Sequence, residues 1–531
     1  MSSSSKNSPA TESGEARAHE SFSFDPSTSE AWAELRALGH DMLNDMFDAL
    51  MALPGTPAWR EMPPGTRQRF TAPLTPGGIG AAAAYERFRA DILPYGNGNW
   101  HPRFFGWVQG NGTPLAMLAD MLASGMNPHL AGFDQAPALV ERQVVGWLAE
   151  WMGMTGASGI FVTGGTMANV HAMMVARHAG ALKQDRNIRE FGLQAWPGLS
   201  REAPLVFYGS SETHGWALKA AEWLGLGRHA FRQVPVADDY TLRVDLMQEM
   251  IESDRAAGMQ PFCVIGTAAT VNTGAIDDLE TIADLAARES LWFHVDGAFG
   301  AMIALAPSLR SRLRGMERAD SLAFDLHKWG SMPFECACVL IRDPLVHTQA
   351  LKQQAAYLGA TERGVSHGGL YFNDHGLDLT RGFKAFKLWM QLQADGVEKF
   401  GRIIEQNVRQ TQLLVSLIEQ YARLELLAPA PLNIVCFRYR PAAPNENGND
   451  SETANNPGTS GAPAQNHDLD ALNTEILQRL HERGIAIPSF TRIKGQFAIR
   501  VAHVNHRSTD DDIIRLAAAV VELGDELAMR Q

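Results

Sequence analysis

Cysteine is scarce in this sequence: there are four in 531 residues, Cys263, Cys336, Cys338 and Cys436, and they show no zinc-type pairing. That excludes a disulfide-stapled scaffold, predicts reduced thiols in a cytoplasmic protein, and offers no metal site. Long apolar runs are missing as well. No stretch reaches the roughly 18 residues that a membrane helix needs, and Met1 to Glu20 lacks the basic end and apolar segment of a leader. No membrane partner is expected. Positive charge is in deficit, with 46 Lys plus Arg against 59 Asp plus Glu and a formal net charge of -13, so nucleic acid is not an expected partner either. What the chain has is 45% hydrophobic content over a length sufficient for two or three domains.

The run Phe324-Asp325-Leu326-His327-Lys328-Trp329-Gly330 is poorly explained by packing, because it sets a lysine between a histidine and a tryptophan. An amine that attacks an aldehyde must be uncharged when it does so, and aromatic neighbours that exclude water favour that state. Upstream, Leu291 to Val295 reads as an apolar strand that delivers one carboxylate, Asp296, at its end. A pyridoxal phosphate ring absorbs electrons from a substrate carbanion when its ring nitrogen stays protonated, and a nearby carboxylate secures that proton. Lys328 and Asp296 together predict this cofactor.

A phosphate cradle supports the same reading. Gly159 to Val162 reads as a short strand, Thr163-Gly164-Gly165-Thr166 as a glycine turn, and the following residues as a helix through Arg177. Glycine lets backbone N–H groups approach an anion at the helix start, where the dipole favours negative charge, and Thr166 adds a hydroxyl. The turn is neither a GxGxxG nor a Walker A sequence, so a nucleotide is not indicated. His214, after Ser210-Ser211-Glu212-Thr213, falls at another strand end, where an imidazole either stacks flat on a cofactor ring or simply starts a helix.

Strands near 205–208, 231–236, 262–266 and 291–295 alternate with helices near 213–224, 244–258 and 279–289. This pattern predicts an α/β fold with a mostly parallel sheet covered by helices and functional loops at the strand carboxyl ends. Residues 1–26 are expected to be a disordered tail. Ser27 and Glu30 read as a capping box that opens an amphipathic helix to Leu53, and 27–98 form a helical arm with too little core to stand alone. Residues 99–395 make the large domain. A smaller α+β domain follows at 396–531, with a disordered insertion at 441–465 rich in Asn, Pro, Gly and Ala. Leu351 to Leu377 has weak periodicity and several glycines, as lids do.

Taken in order, Thr163-Gly164-Gly165-Thr166, Thr213-His214, Thr270-Val271-Asn272-Thr273-Gly274-Ala275, His294-Val295-Asp296-Gly297-Ala298 and His327-Lys328-Trp329 resemble the group II pyridoxal-phosphate-dependent decarboxylases, the aromatic amino acid enzymes among them. The resemblance spans roughly residues 30 to 530. It implies a fold-type I homodimer whose arm wraps the partner and whose active sites lie between subunits. It further implies that Lys328 binds the cofactor aldehyde covalently, that Asp296 pairs with the ring nitrogen, and that His214 stacks on the ring. Gly165, Thr166 and His327 would surround the phosphate, with Thr270 and Ala298 against the ring. The family often has Asn or Asp three residues before the lysine; here it is Asp325, an acid close to a phosphate group that must find a compensating donor, and Trp107 stands where the aromatic enzymes commonly carry tyrosine.

The implied activity is decarboxylation of an L-amino acid to an amine. Trp107 and Phe133 favour an apolar or aromatic substrate. In the family a tyrosine of the mobile loop protonates the carbanion, and phenylalanine there accompanies aldehyde synthase activity. The two registers of Gly368-Gly369-Leu370-Tyr371-Phe372-Asn373 offer Tyr371 or Phe372 for this place; Tyr371 is preferred because phenylalanine has no proton to give. An aldehyde synthase and a non-catalytic dimeric scaffold are the alternatives.

Overall fold

In the computed structural model, residues 23–74, 76–193, 203–353, 361–367, 371–442 and 462–530 are described. Most of the expected tail, 443–461 of the expected insertion, and 354–360 and 368–370 of the expected lid lie outside these residues.

A seven-stranded sheet carries the large domain. From edge to edge its strands are Ser158–Val162, Ala337–Ile341, Ser321–Asp325, Trp292–Asp296, Gln260–Thr267, Leu205–Ser210 and Phe231–Val234. Ala337–Ile341 runs antiparallel to both neighbours and the remaining pairs are parallel. Trp292–Asp296, Ser321–Asp325 and Ala337–Ile341 are buried at every position, as a sheet covered on both faces requires. One face packs on the helix Gly165–Leu182 through Ala168, Ala172, Met173 and Ala176. The other receives Met247 and Ile251 of Val244–Ala256 and Leu279, Ile282 and Leu285 of Leu279–Arg288. Burying each Leu, Ile or Met contributes roughly 1.5–3 kcal/mol against exposure.

The sheet places the chemistry at one edge of its strands. Trp292–Asp296 and Ser321–Asp325 are adjacent and parallel, so their carboxyl ends bring Asp296 and Asp325 to the same side. Ser321–Asp325 went unrecognised in the sequence because it is short and ends directly in the lysine loop.

The smaller sheet runs Phe104–Phe105, Ile487–Ile493, Gln496–Ala502, Ile434–Tyr439 and Leu424–Leu426. Phe104–Phe105 was expected to belong with the large domain. It pairs instead with Ile487 and Pro488, and Arg103 Nε donates to Ile485 O at 2.7 Å, so this early segment ties the two regions together. The first helix, Ser29–Ala52, buries none of its residues. Its cap is Thr28, whose hydroxyl accepts from Ala31 N at 3.2 Å; the expected Ser27–Glu30 box does not form because the extended residue is Thr28. The helix Ala462–Glu482 begins inside the segment expected to be an insertion.

Candidate active site

Beyond the strand ends lies a cavity of about 680 Å³. Its lining includes Gly165, Thr166, His214, Asp296, Ala298, His327, Lys328 and Trp107, which come from segments far apart in the chain. A cavity of this size has room for a cofactor and a small substrate together.

Asp296 ends its strand buried, with each carboxylate oxygen engaged once: Oδ2 accepts from Trp216 Nε1 at 2.6 Å and Oδ1 from Ala298 N at 3.1 Å. His214 Nδ1 accepts from Trp216 N at 3.3 Å, which leaves the ring proton on Nε2. Burial lowers the pKa of this imidazole, outweighing the opposing effect of Asp296. His327 Nδ1 accepts from Cys336 N at 3.1 Å, so its Nε2 is likewise the protonated nitrogen. Burial again pushes its pKa down, keeping the ring a neutral donor.

Lys328 Nζ lies 2.8 Å from Asp325 Oδ2. The sequence left open what compensates an acid beside a phosphate site; it is the lysine itself. Gly165 is required here, since a Cβ at that position would stand 2.6 Å from Asp325 Oδ2. Gly110 is fixed in the same way, its N donating to His327 O at 3.0 Å where a Cβ would meet that oxygen at 2.3 Å.

These residues fit pyridoxal phosphate. The helix Gly165–Leu182 starts with no side-chain cap on Gly164, so its first N–H groups face the cavity side available to an anion. Lys328 supplies an amine, His327 Nε2–H a donor, and Asp296 a carboxylate with lone pairs left over.

Four expected residues are not brought to this cavity. Thr270 is buried in a turn, its N bonded to Ala275 O at 2.8 Å and its Oγ1 3.1 Å from Thr273 Oγ1; Ala269 and Val271 take the lining positions. Phe133 and Tyr371 pack edge to face on each other, 6.3 Å between centroids, and the Tyr371 hydroxyl donates to Ser366 O at 3.0 Å. Phe372 is buried in the core beneath the Arg381 guanidinium, 5.0 Å from its ring centroid. That cation is held by Glu141 at 2.5 Å.

Other lining residues were not anticipated, Trp216 and Arg500 foremost. Arg500 is buried, and its guanidinium donates to Trp107 O at 2.9 Å, Asn272 O at 3.3 Å, Ser489 Oγ at 3.1 Å and Val271 O. All four acceptors are neutral, and no carboxylate pairs with it among the described residues. Burial lowers its pKa to about 10, still cationic at neutral pH. An arginine inside the apolar alternation of Gln496–Ala502 was the signal that could have found it.

The pyridoxal-dependent decarboxylase conserved domain matches residues 88–440. An aromatic-L-amino-acid decarboxylase of Bacillus atrophaeus is 28% identical over 504 residues, covering 93% of this chain and 96% of that protein. A phenylacetaldehyde synthase of a Rosa hybrid cultivar is 26% identical, covering 88% of this chain and 89% of that protein. The solved structure of Oryza sativa TDC with PLP and tryptamine superposes with a TM-score of 0.81 at 24% identity, over 95% of this chain and 100% of that one.

Proposed function

The chain belongs to the pyridoxal-dependent decarboxylase family, and from that premise we propose that it decarboxylates an aromatic L-amino acid in a cavity completed by a second copy of the chain. Pyridoxal-phosphate-dependent decarboxylation itself follows from the family; the substrate, the roles of the residues and the dimer are inferred. When bound, the cofactor supplies the sink for the electron pair that the departing CO2 leaves behind.

The observation that carries this reading is the convergence of Lys328, Asp296, His214, His327 and Gly165 on one cavity. Lys328 would hold the cofactor aldehyde. Asp296 keeps the proton on the ring nitrogen, and His214 covers the ring. The helix start at Gly165 and Thr166, with His327 Nε2–H, binds the phosphate. Arg500, a buried cation with only neutral partners, orients the substrate through its carboxylate. Trp107, Phe299 and Phe490 line the same space and support an aromatic side chain, as does the near full-length likeness to the Bacillus enzyme.

Two features support the dimer. The helix Ser29–Ala52 leaves Trp32, Leu35 and Met51 exposed, apolar surface that a partner would cover. Phe133 and Tyr371 lie off their own chain's cavity, which leaves them for the partner's.

A second reading, aldehyde synthesis, is favoured by the likeness to the Rosa phenylacetaldehyde synthase. It shares CO2 loss and then consumes O2 and water, releasing ammonia and hydrogen peroxide with the aldehyde. One assay separates the two: a panel of amino acids scored for CO2, amine, aldehyde and peroxide. Amine stoichiometric with CO2 from an aromatic substrate supports the decarboxylase; aldehyde with matching peroxide replaces it with the synthase. CO2 release from acidic amino acids alone would refute the aromatic assignment.

A further inference from the structure

Trp216 is the residue through which two expected site groups meet. Its indole Nε1–H donates to Asp296 Oδ2 at 2.6 Å, and its backbone N–H donates to His214 Nδ1 at 3.3 Å. The side chain is itself buried and lines the cavity, at the start of the helix Trp216–Trp223.

The indole is immobilised from behind. Its ring stands edge-on to His294, 5.6 Å between centroids. His294 is completely enclosed, with Nδ1 2.8 Å from Ser321 Oγ and Nε2 2.7 Å from Asn169 Oδ1, while Trp292 Nε1 donates to the same serine at 2.8 Å. Burial lowers the His294 pKa to about 4, so this ring is a neutral strut at working pH. Asn169 belongs to the helix that begins at the phosphate cradle. A rigid line thus runs from that helix through His294 and Trp216 to Asp296.

We propose that Trp216 is a positioning residue whose indole aims the Asp296 carboxylate at the cofactor ring, beside the His214 imidazole that its backbone N–H holds. The inference rests on the assignment of Asp296 and His214 to that ring. With each Asp296 oxygen held by a fixed N–H, the carboxylate cannot rotate freely, and a ring nitrogen meets an acceptor whose orientation is already set. Indole suits the task because its N–H is a donor fixed on a rigid ring and adds no competing charge.

The test uses the full-length protein loaded with pyridoxal phosphate labelled with ¹⁵N in the ring. The readouts are the nitrogen chemical shift, which distinguishes the protonated from the neutral ring, and the cofactor dissociation constant. Wild type should show a protonated nitrogen. Trp216→Phe, which keeps the ring and loses the donor, should move the signal toward the neutral position and weaken cofactor binding about tenfold, the scale of one hydrogen bond to a charged group. Trp216→Gln, which restores an N–H donor, should bring back the protonated signal. An unchanged shift and affinity in Trp216→Phe would overturn the proposal while leaving the cofactor site standing. If Trp216→Phe does not fold, a neutral nitrogen in Trp216→Gln overturns it instead. A neutral nitrogen in wild type removes the assignment of Asp296 and the proposal with it.

Discussion

Lys328 Nζ stands 2.8 Å from Asp325 Oδ2, pairing an ammonium 24% exposed with a carboxylate 1% exposed across a single turn of chain. The other oxygen, Asp325 Oδ1, has no hydrogen-bond partner among the described residues, and His327 Nε2 is 3.8 Å from it. The amine proposed to hold the cofactor therefore also compensates a buried charge.

Removing that amine should cost stability as well as activity. Lys328→Ala leaves Asp325 buried without a cation. The penalty for such a charge is several kcal/mol when fully enclosed; with the lysine partly exposed, about 2–3 kcal/mol is expected. Urea unfolding of the cofactor-free protein measures it. Adding Asp325→Asn should recover most of the loss, and a single variant as stable as wild type would show that the pair contributes nothing.

Acid should unfold the protein earlier than surface carboxylates alone would. Burial holds His101, His294 and His506 near pKa 4, and His171 and His503 near 3. These folded values lie below the unfolded value of about 6.5, so stability is complete above pH 6.5 and falls as the unfolded chain takes up protons that the native rings refuse. Asp277 acts oppositely: burial raises it to about 6, and its contribution grows as pH drops toward 4. One carboxylate against five imidazoles leaves a net loss. Urea midpoints between pH 7.5 and 4.5 should decline steadily, and a flat profile would contradict the burial of these rings.

Arg500 carries the substrate side of the proposal. Arg500→Lys keeps the charge but cannot fork to Trp107 O, Asn272 O and Val271 O at once. The expectation is a 10- to 100-fold fall in kcat/KM, dominated by KM, with the visible band of the bound cofactor retained. A loss confined to kcat would move Arg500 from substrate binding to the chemical step.

The proton donor is tested by tyrosine variants of the Leu351 to Leu377 segment, which contains Tyr357 as well as Tyr371. Tyr357 lies outside the described residues, and Tyr371 does not line its own chain's cavity; in the proposed dimer it would serve the partner's. Tyr371→Phe should suppress amine and raise aldehyde and peroxide. If Tyr357→Phe does so and Tyr371→Phe does not, the role passes to Tyr357. Phe372→Tyr should lower stability without changing products, because its ring is enclosed under Arg381.

The sequence exposed those parts of the site that local chemistry marks. Asp296 was legible because an apolar strand ends in one carboxylate, and Gly165 because a strand, a glycine turn and a helix follow one another. Arg500 and Trp216 were not, since their significance comes from Val271, Trp107 and Asp296, positions distant in the chain that only the fold brings near. Thr270 could not be separated from its neighbours in the sequence: in the turn closed by Ala275, Ala269 and Val271 line the cavity. The pairing of Phe104–Phe105 with Ile487 and Pro488 was equally hidden, because a two-residue strand leaves no periodic signal.

The central claim is that Lys328 binds the cofactor in an enzyme that releases CO2 from aromatic amino acids, and peptide mapping after borohydride reduction tests it most directly. The holoenzyme should be yellow, bleach on reduction, and carry one pyridoxyl-phosphate mass per chain on the peptide containing Lys328; before reduction it should release CO2 from an aromatic amino acid. A label on another lysine, or turnover that survives in Lys328→Ala, would contradict the account.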